Sequence, residues 1–158
     1  AQADAQGNVN VSQFNGRAVG CGGFINITQN AKKVAFLGTF TAGGLQVAVE
    51  DGRLRIVQEG RSRKFLRQVE QITFSGAYAA RMKQPVLYVT ERAVFRLRSA
   101  GLELIEIAPG IDLRRDVLAH IDFEPLMRDV RTMDPALFQP VWGLLGALVA
   151  AGGAPTPG

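Results

Sequence analysis

The run Gly20-Cys21-Gly22-Gly23 is the part of this sequence whose residue types and spacing most directly suggest chemistry. Glycine reaches positive φ and lets a ligand come close to main-chain N–H groups. If a helix opens at Phe24, those N–H groups converge and can hold an anion, or an oxyanion developing on a carbonyl. The same spelling also makes an ordinary tight turn. It is neither the G-x-G-x-x-G of dinucleotide sites nor a phosphate loop with its Lys-Ser/Thr. Cys21 lies inside the run, and a nucleophilic thiolate needs a base beside it. The one histidine, His120, flanks the apolar stripe of a distant helical segment and reads as a packed or half-exposed helix residue. One cysteine and one histidine exclude an internal disulfide framework and a Cys/His zinc cluster built within the chain. They fit a reducing, cytoplasmic setting.

Two further groups of residues carry charge that could do chemistry. Arg53, Arg55, Arg61, Arg63, Lys64 and Arg67 place six cations in fifteen residues. They could meet phosphates, or they could be the solvated face of a hairpin and its loop. Without interleaved aromatics they offer no base-stacking surface, so nucleic acid is not expected as a partner despite a pI near 9.7. The carboxylates are scattered. Glu50-Asp51-Gly52 and Glu59-Gly60 read as turns, Glu91 as structural, and Glu103 and Glu106 as lying on opposite faces of a strand rather than as an acid/base pair.

The elements that must position these residues are mostly short strands. A chain of 158 residues with 47% hydrophobic and 20% charged residues is of globular composition and of one-domain size. Val9 and Val11 alternate around Asn10. Lys33–Phe40 is an apolar run that reads as a buried strand. Leu45–Val49 and Leu54–Val57 alternate on either side of Asp51-Gly52, a strong hairpin signal. Val69–Phe74 reads as another strand, Pro85–Thr90 and Ala93–Leu97 as a pair, and Leu102–Ile107 as a strand ended by Ala108-Pro109-Gly110. Leu113, Val117 and Ile121 recur at helical spacing, with Asp112 as N-cap. Six or seven strands with one or two helices imply an α/β or α+β domain with a mixed sheet.

The chain opens without Met on a polar segment that is no signal peptide. Residues 140–153 are apolar but too short and glycine-broken to span a bilayer. They are expected to pack on the domain itself or on a partner surface, so no membrane association is expected.

Several motifs taken together resemble the C-terminal half of the family I coenzyme A transferases. They are Gly7-Asn-Val-Asn10, Gly20-Cys-Gly-Gly-Phe-Ile-Asn26, Gln29–Val34, Gly38–Gly44, Val69–Gly76, Tyr88–Phe95 and Glu106–Ile111. The sequence is most similar to the acetate or short-chain acyl-CoA branch, related to the succinyl-CoA:3-oxoacid enzymes. The resemblance runs from residue 1 to about 140. It implies a fold of class α/β: an open α/β/α sandwich with a mixed, hairpin-rich sheet, truncated at its N-terminus. Residues 1–140 would be a partial domain and 141–158 a tail.

The resemblance further implies a reaction that moves CoA from a short-chain acyl-CoA to a carboxylic acid. It proceeds through a mixed anhydride and a glutamyl-CoA thioester, with CoA as substrate and no resident cofactor. In the family the glutamate sits in a Glu-x-Gly motif ahead of the Gly-Asn-Val-Asn segment. Nothing here matches it in that position, so no catalytic residue is assigned and this chain alone is expected to be inactive. Gly20, Gly22 and Gly23 match the family's G-x-G-G segment facing that glutamate, with Phe24 and Asn26 following. The related branch has Asp in place of Asn26. Asn8 and Asn10 are placed as flanking residues. The expected partners are the two substrates, the N-terminal half of the enzyme and further copies of it. The competing expectation is a non-catalytic acyl-CoA-binding or subunit-assembly module.

Overall fold

The computed structural model describes residues 1–139, so the expected tail at 141–158 lies outside the described residues. In chain order the elements are β1 (Gln2–Asp4), β2 (Val9–Asn10), β3 (Gln13–Phe14), β4 (Arg17–Ala18), α1 (Phe24–Asn30), β5 (Val34–Leu37), β6 (Thr41–Ala42), β7 (Gln46–Glu50), β8 (Arg53–Gln58), β9 (Ser62–Arg63), β10 (Phe65–Leu66), α2 (Gly76–Arg81), β11 (Val86–Val89), β12 (Ala93–Arg98), β13 (Gly101–Ile107) and β14 (Leu126–Thr132). The strands outnumber the six or seven expected because many are only two residues long.

The largest sheet has the order β14-β13-β12-β11-β5. Its β5–β11 and β13–β14 pairs are parallel, while β11–β12 and β12–β13 are antiparallel, so the sheet is mixed as expected. A smaller sheet, β10-β1-β2, packs against it. The core between them is aromatic. Phe65 lies 4.9 Å from Phe95 and 5.0 Å from Phe40, and Phe36 lies 5.1 Å from Phe74 and 5.3 Å from Tyr88. The Tyr88 hydroxyl would be orphaned there, and it donates to the Gly7 carbonyl. Burial, with the nearby Asp4 charge, raises the Tyr88 pKa and keeps that proton in place.

The 45–57 hairpin forms as read. Glu50 pairs with Arg53, and the two residues between them both take positive φ (51° at Asp51, 72° at Gly52). That combination is the turn whose twist matches its strands.

Three expectations are corrected. The strand in Lys33–Phe40 is not fully buried: β5 is an edge strand, and Leu37 is 78% exposed. Val69–Phe74 is not a strand; it touches the small sheet through a single bridge, Val9 to Phe74. Its backbone is satisfied piecemeal instead: Val69 N–H donates to the Asp4 carboxylate, and the N–H groups of Thr73 and Phe74 both donate to the Val9 carbonyl. The Asp112–Ile121 segment is a π turn (Leu113–Val117) followed by a 3-10 turn (Leu118–His120) rather than an α-helix. Asp112 does cap it, accepting from Arg115 N–H. No helix among the described residues is long and apolar enough to cross a membrane.

Gly76 opens α2 where the chain crosses the β1–β2 turn, and its N–H donates to Asn8 Oδ1 at 3.0 Å. A Cβ there would overlap the Gln6 carbonyl oxygen and lie 2.8 Å from the Gly7 carbonyl carbon. Backbone cannot swing aside as a side chain does, so Gly76→Ala is expected to cost at least about 2 kcal/mol. Urea denaturation of the variant beside the parent chain measures it.

Candidate functional site

The glycine run is an exposed loop that leads into α1, so the condition on which its N–H groups converge, a helix opening at Phe24, is met. Gly20 and Gly22 take φ of 81° and 51°, which explains glycine at both. A Cβ on either would meet nothing within 4 Å, so the loop borders open space. Gly23 has an ordinary negative φ and caps α1 without a side chain. Among the described residues, the N–H groups of Gly22 and Gly23 have no protein acceptor, while Phe24 N–H donates to the Cys21 carbonyl. Phe24 turns inward and stacks on Phe36 at 5.7 Å, which anchors the loop to β5. Asn26 is exposed on α1 and lends only its backbone carbonyl to Asn30.

Asn8 and Asn10 do not face the loop as ligand-binding groups. Both are buried and consumed by the fold. Asn10 donates to Gln2 Oε1 and the Gln13 carbonyl and accepts from Ser12 and Gln13 N–H. Asn8 binds the Asp4 carboxylate and Gly76 N–H. Cys21 and His120 are engaged separately: the thiol touches the adjoining Gly22 carbonyl, and His120 Nε2 lies 3.5 Å from Glu59 Oε2.

Sequence reading missed the strongest electrostatic feature. Arg92 has a side chain with 0% exposure. It binds Glu59 through both terminal nitrogens at 2.6 and 3.1 Å, Glu91 through Nε at 2.7 Å and the Asp116 carbonyl at 3.0 Å. Its guanidinium also lies over the Phe40 ring at 4.9 Å. Glu91 accepts from Phe40 N–H, and Glu59 accepts from the Thr41 hydroxyl and Gly60 N–H. Glu59-Gly60 is therefore an anchor for this cation rather than a mere turn. Burial alone would raise the Glu59 pKa, but the hydrogen bonds from Arg92, Thr41 and Gly60 and the Arg92 charge hold it at about 2. Nothing in the sequence signals the pair, because the partners lie 33 residues apart.

Other carboxylates are similarly occupied. Glu103 is shared by Arg96 and Arg98, Asp116 is gripped by Arg115, and Glu106 by Arg131. The basic stretch is partly consumed: Arg55 pairs with Glu50, Arg63 with Asp122, and Lys64 donates to the Thr39 carbonyl. Arg53, Arg61 and Arg67 remain exposed.

Glu59 is ionised more readily in the fold, at about 2, than at its ordinary 4.5. Its stabilisation is therefore complete above pH 4.5 and is lost as pH falls from there toward 2. The shift corresponds to about 3 kcal/mol. Glu59→Gln leaves Arg92 buried with one charge partner fewer, and is expected to cost roughly 3–5 kcal/mol at pH 7. Urea midpoints at pH 7 and pH 3 should converge in the variant relative to the parent.

No family model matches the chain. It is 51% identical over 139 residues to acetate CoA-transferase YdiF of Escherichia coli K12, covering 87% of this chain and 26% of that enzyme. It is 50% identical over 155 residues to caffeate CoA-transferase of Acetobacterium woodii, covering 94% of this chain and 29% of that one. The crystal structure of the acyl-CoA transferase YdiF apoenzyme from Escherichia coli O157:H7 superposes with a TM-score of 0.86 at 50% identity, over 89% of this chain and 28% of that one. The same enzyme is also known as a thioester complex with CoA. The chain thus spans little more than a quarter of the length of the relatives it matches.

Proposed function

We propose that this homologue of one segment of the family I coenzyme A transferases supplies the glycine-loop side of a CoA-transfer site. The nucleophilic glutamate would come from polypeptide outside these 158 residues. The supporting observation is the loop at Gly20–Gly23. It borders open space with the N–H groups of Gly22 and Gly23 unclaimed among the described residues, inside a stretch about 50% identical to enzymes that move CoA. Donors held in place before the reaction stabilise charge that appears only in the transition state, and they need no reorganisation to do so. Attack of a carboxylate on an acyl-CoA thioester puts negative charge on the thioester oxygen. The loop would receive that oxygen.

Gly20, Gly22 and Gly23 carry this role, Phe24 fixes the loop through its stack on Phe36, and Asn26 borders it. Several of the described carboxylates are already engaged within the fold. Glu50 sits at the hairpin turn paired with Arg55, and Glu59, Glu91, Glu103 and Asp116 are held by arginines. The substrates on this reading are a short-chain acyl-CoA and a free carboxylic acid, with CoA as substrate rather than resident cofactor. Residues 1–140 then belong to one partial domain and 141–158 to a tail. Cytoplasmic short-chain acid metabolism and a homo-oligomeric enzyme follow from the same resemblance.

A second reading, an acyl-CoA-binding or assembly module, draws on the exposed Ile27 (71%) and Leu37 (78%), which suit a surface covered by further polypeptide. The test is a graft. The chain replaces its homologous segment in the Escherichia coli enzyme, and CoA transfer is assayed. The graft is expected to be active, and Gly22→Val within it to lower kcat at least about 100-fold with the fold retained. A folded but inert graft, or a glutamyl-CoA adduct found by mass spectrometry on this chain itself, overturns the proposal.

A further inference from the structure

The glycine loop is held at both ends. Downstream, Phe24 stacks on Phe36. Upstream, the N–H groups of Val19 and Gly20 both donate to the Ser12 carbonyl, at 2.8 and 3.3 Å. Val19 is 63% exposed, so its position rests on these hydrogen bonds rather than on burial.

Ser12 and Val19 close the base of the β3–β4 hairpin. Each strand of that hairpin is two residues long and neither is buried. Its turn, Asn15-Gly16, takes φ of 53° and 73°. A two-stranded hairpin is marginally stable by itself. The geometry of this one therefore depends on what grips it, and the entry to the glycine loop depends on it in turn.

Residues 70–73 grip the hairpin at two points. At the tip, the Glu70 carboxylate accepts from Asn15 N–H at 2.8 Å and from Gly16 N–H. At the base, the Thr73 hydroxyl accepts from Val11 N–H at 3.2 Å and shares a hydrogen bond of 2.7 Å with the Ser12 hydroxyl. Thr73 is buried, and its own N–H donates to the Val9 carbonyl, which fastens the clamp to β2. The buried Asn10 side chain adds support by accepting from Ser12 N–H at 3.1 Å. One residue, Ser12, thus connects Thr73 to the glycine loop: its side chain meets Thr73 and its carbonyl receives Val19 and Gly20.

We propose that Thr73 and Glu70 are positioning residues for the glycine loop, acting through Ser12 and the hairpin rather than on a substrate. In the CoA-transfer reading, the loop N–H groups must meet a thioester oxygen as charge develops on it. A misplacement of about 1 Å caused by a change away from the chemistry can cost on the order of 100-fold in rate. That consequence rests on the CoA-transfer reading, whereas the clamp itself does not.

Two measurements test the proposal. The first is amide hydrogen exchange in the isotopically labelled chain, read by NMR at Val19 and Gly20. Thr73→Val keeps the shape and removes the hydroxyl, and should speed exchange there at least tenfold while β12 and β13 keep their protection. Thr73→Ser, which keeps the hydroxyl, should restore parent rates. Ser12→Ala should also speed exchange, and adding it to Thr73→Val should change the rates less than twofold further, because the two side chains share one hydrogen bond. Glu70→Gln, which replaces one of the two acceptor oxygens by a donor, should speed exchange at Asn15 and Gly16.

The second measurement is kinetic, in the graft described above. Thr73→Val should lower kcat at least tenfold with KM for acyl-CoA changed less than twofold, and Thr73→Ser should recover kcat. Parent exchange rates at Val19 and Gly20 in Thr73→Val, equal acceleration in β12 and β13, or no recovery in Thr73→Ser overturns the clamp. An unchanged kcat in an active graft overturns its part in positioning. An inert parent graft counts against the CoA-transfer reading alone, and the exchange rates then still decide the clamp.

Discussion

The buried guanidinium of Arg92 is the constraint around which the described residues are organised. A fully desolvated cation must have its charge met and its donors filled, or the fold does not hold it. Glu59, Glu91 and the Asp116 carbonyl meet that demand from three separate stretches of chain, and the Phe40 ring covers the face of the group. Each partner is fixed in turn: Glu91 takes Phe40 N–H, and Glu59 takes the Thr41 hydroxyl. The loop after β5 is thereby set, and with it the Thr39 carbonyl that orients Lys64.

The helical turn after β13 shows the same constraint acting on secondary structure. Leu113, Val117 and Ile121 have helical spacing, and Val117 and Ile121 are buried as that spacing predicts. The backbone winds as a π turn and then a 3-10 turn, and the Asp116 carbonyl goes to Arg92. The Asp116 carboxylate further binds Asp112 N–H and Arg115. Local pattern identified the face, and the buried charge accompanies the departure from regular winding.

Legibility varied with how local the determining forces are. The hairpin at Asp51-Gly52 was readable because two adjacent residues carry both the positive φ values and the register. The start of α1 was left open, because the glycines before Phe24 suit a tight turn as well as a helix entry. The Val69–Phe74 segment misled because its apolar residues do go inward, with Val69 and Phe74 at 5% and 4% exposure. Its hydrogen bonds go to the Asp4 carboxylate and to the single β2 residue Val9, which is too little to pair it as a strand. Burial and strand pairing are separate properties, and hydrophobic pattern reports only the first.

The glycine loop, its glycine-dependent φ values and the kinship with CoA-transferases were carried by the sequence itself, because each lies in contiguous residues. Tertiary structure decided what distant residues do to one another. It turned Glu59-Gly60 from a turn into the partner of a buried arginine, and it drew Asn8 and Asn10 into the scaffold. It also brought Lys64 to the carboxyl ends of β5 and β11. Charge pairing and desolvation depend on distances in space, and neither Glu59 and Arg92 nor Lys64 and Val89 are near in the chain.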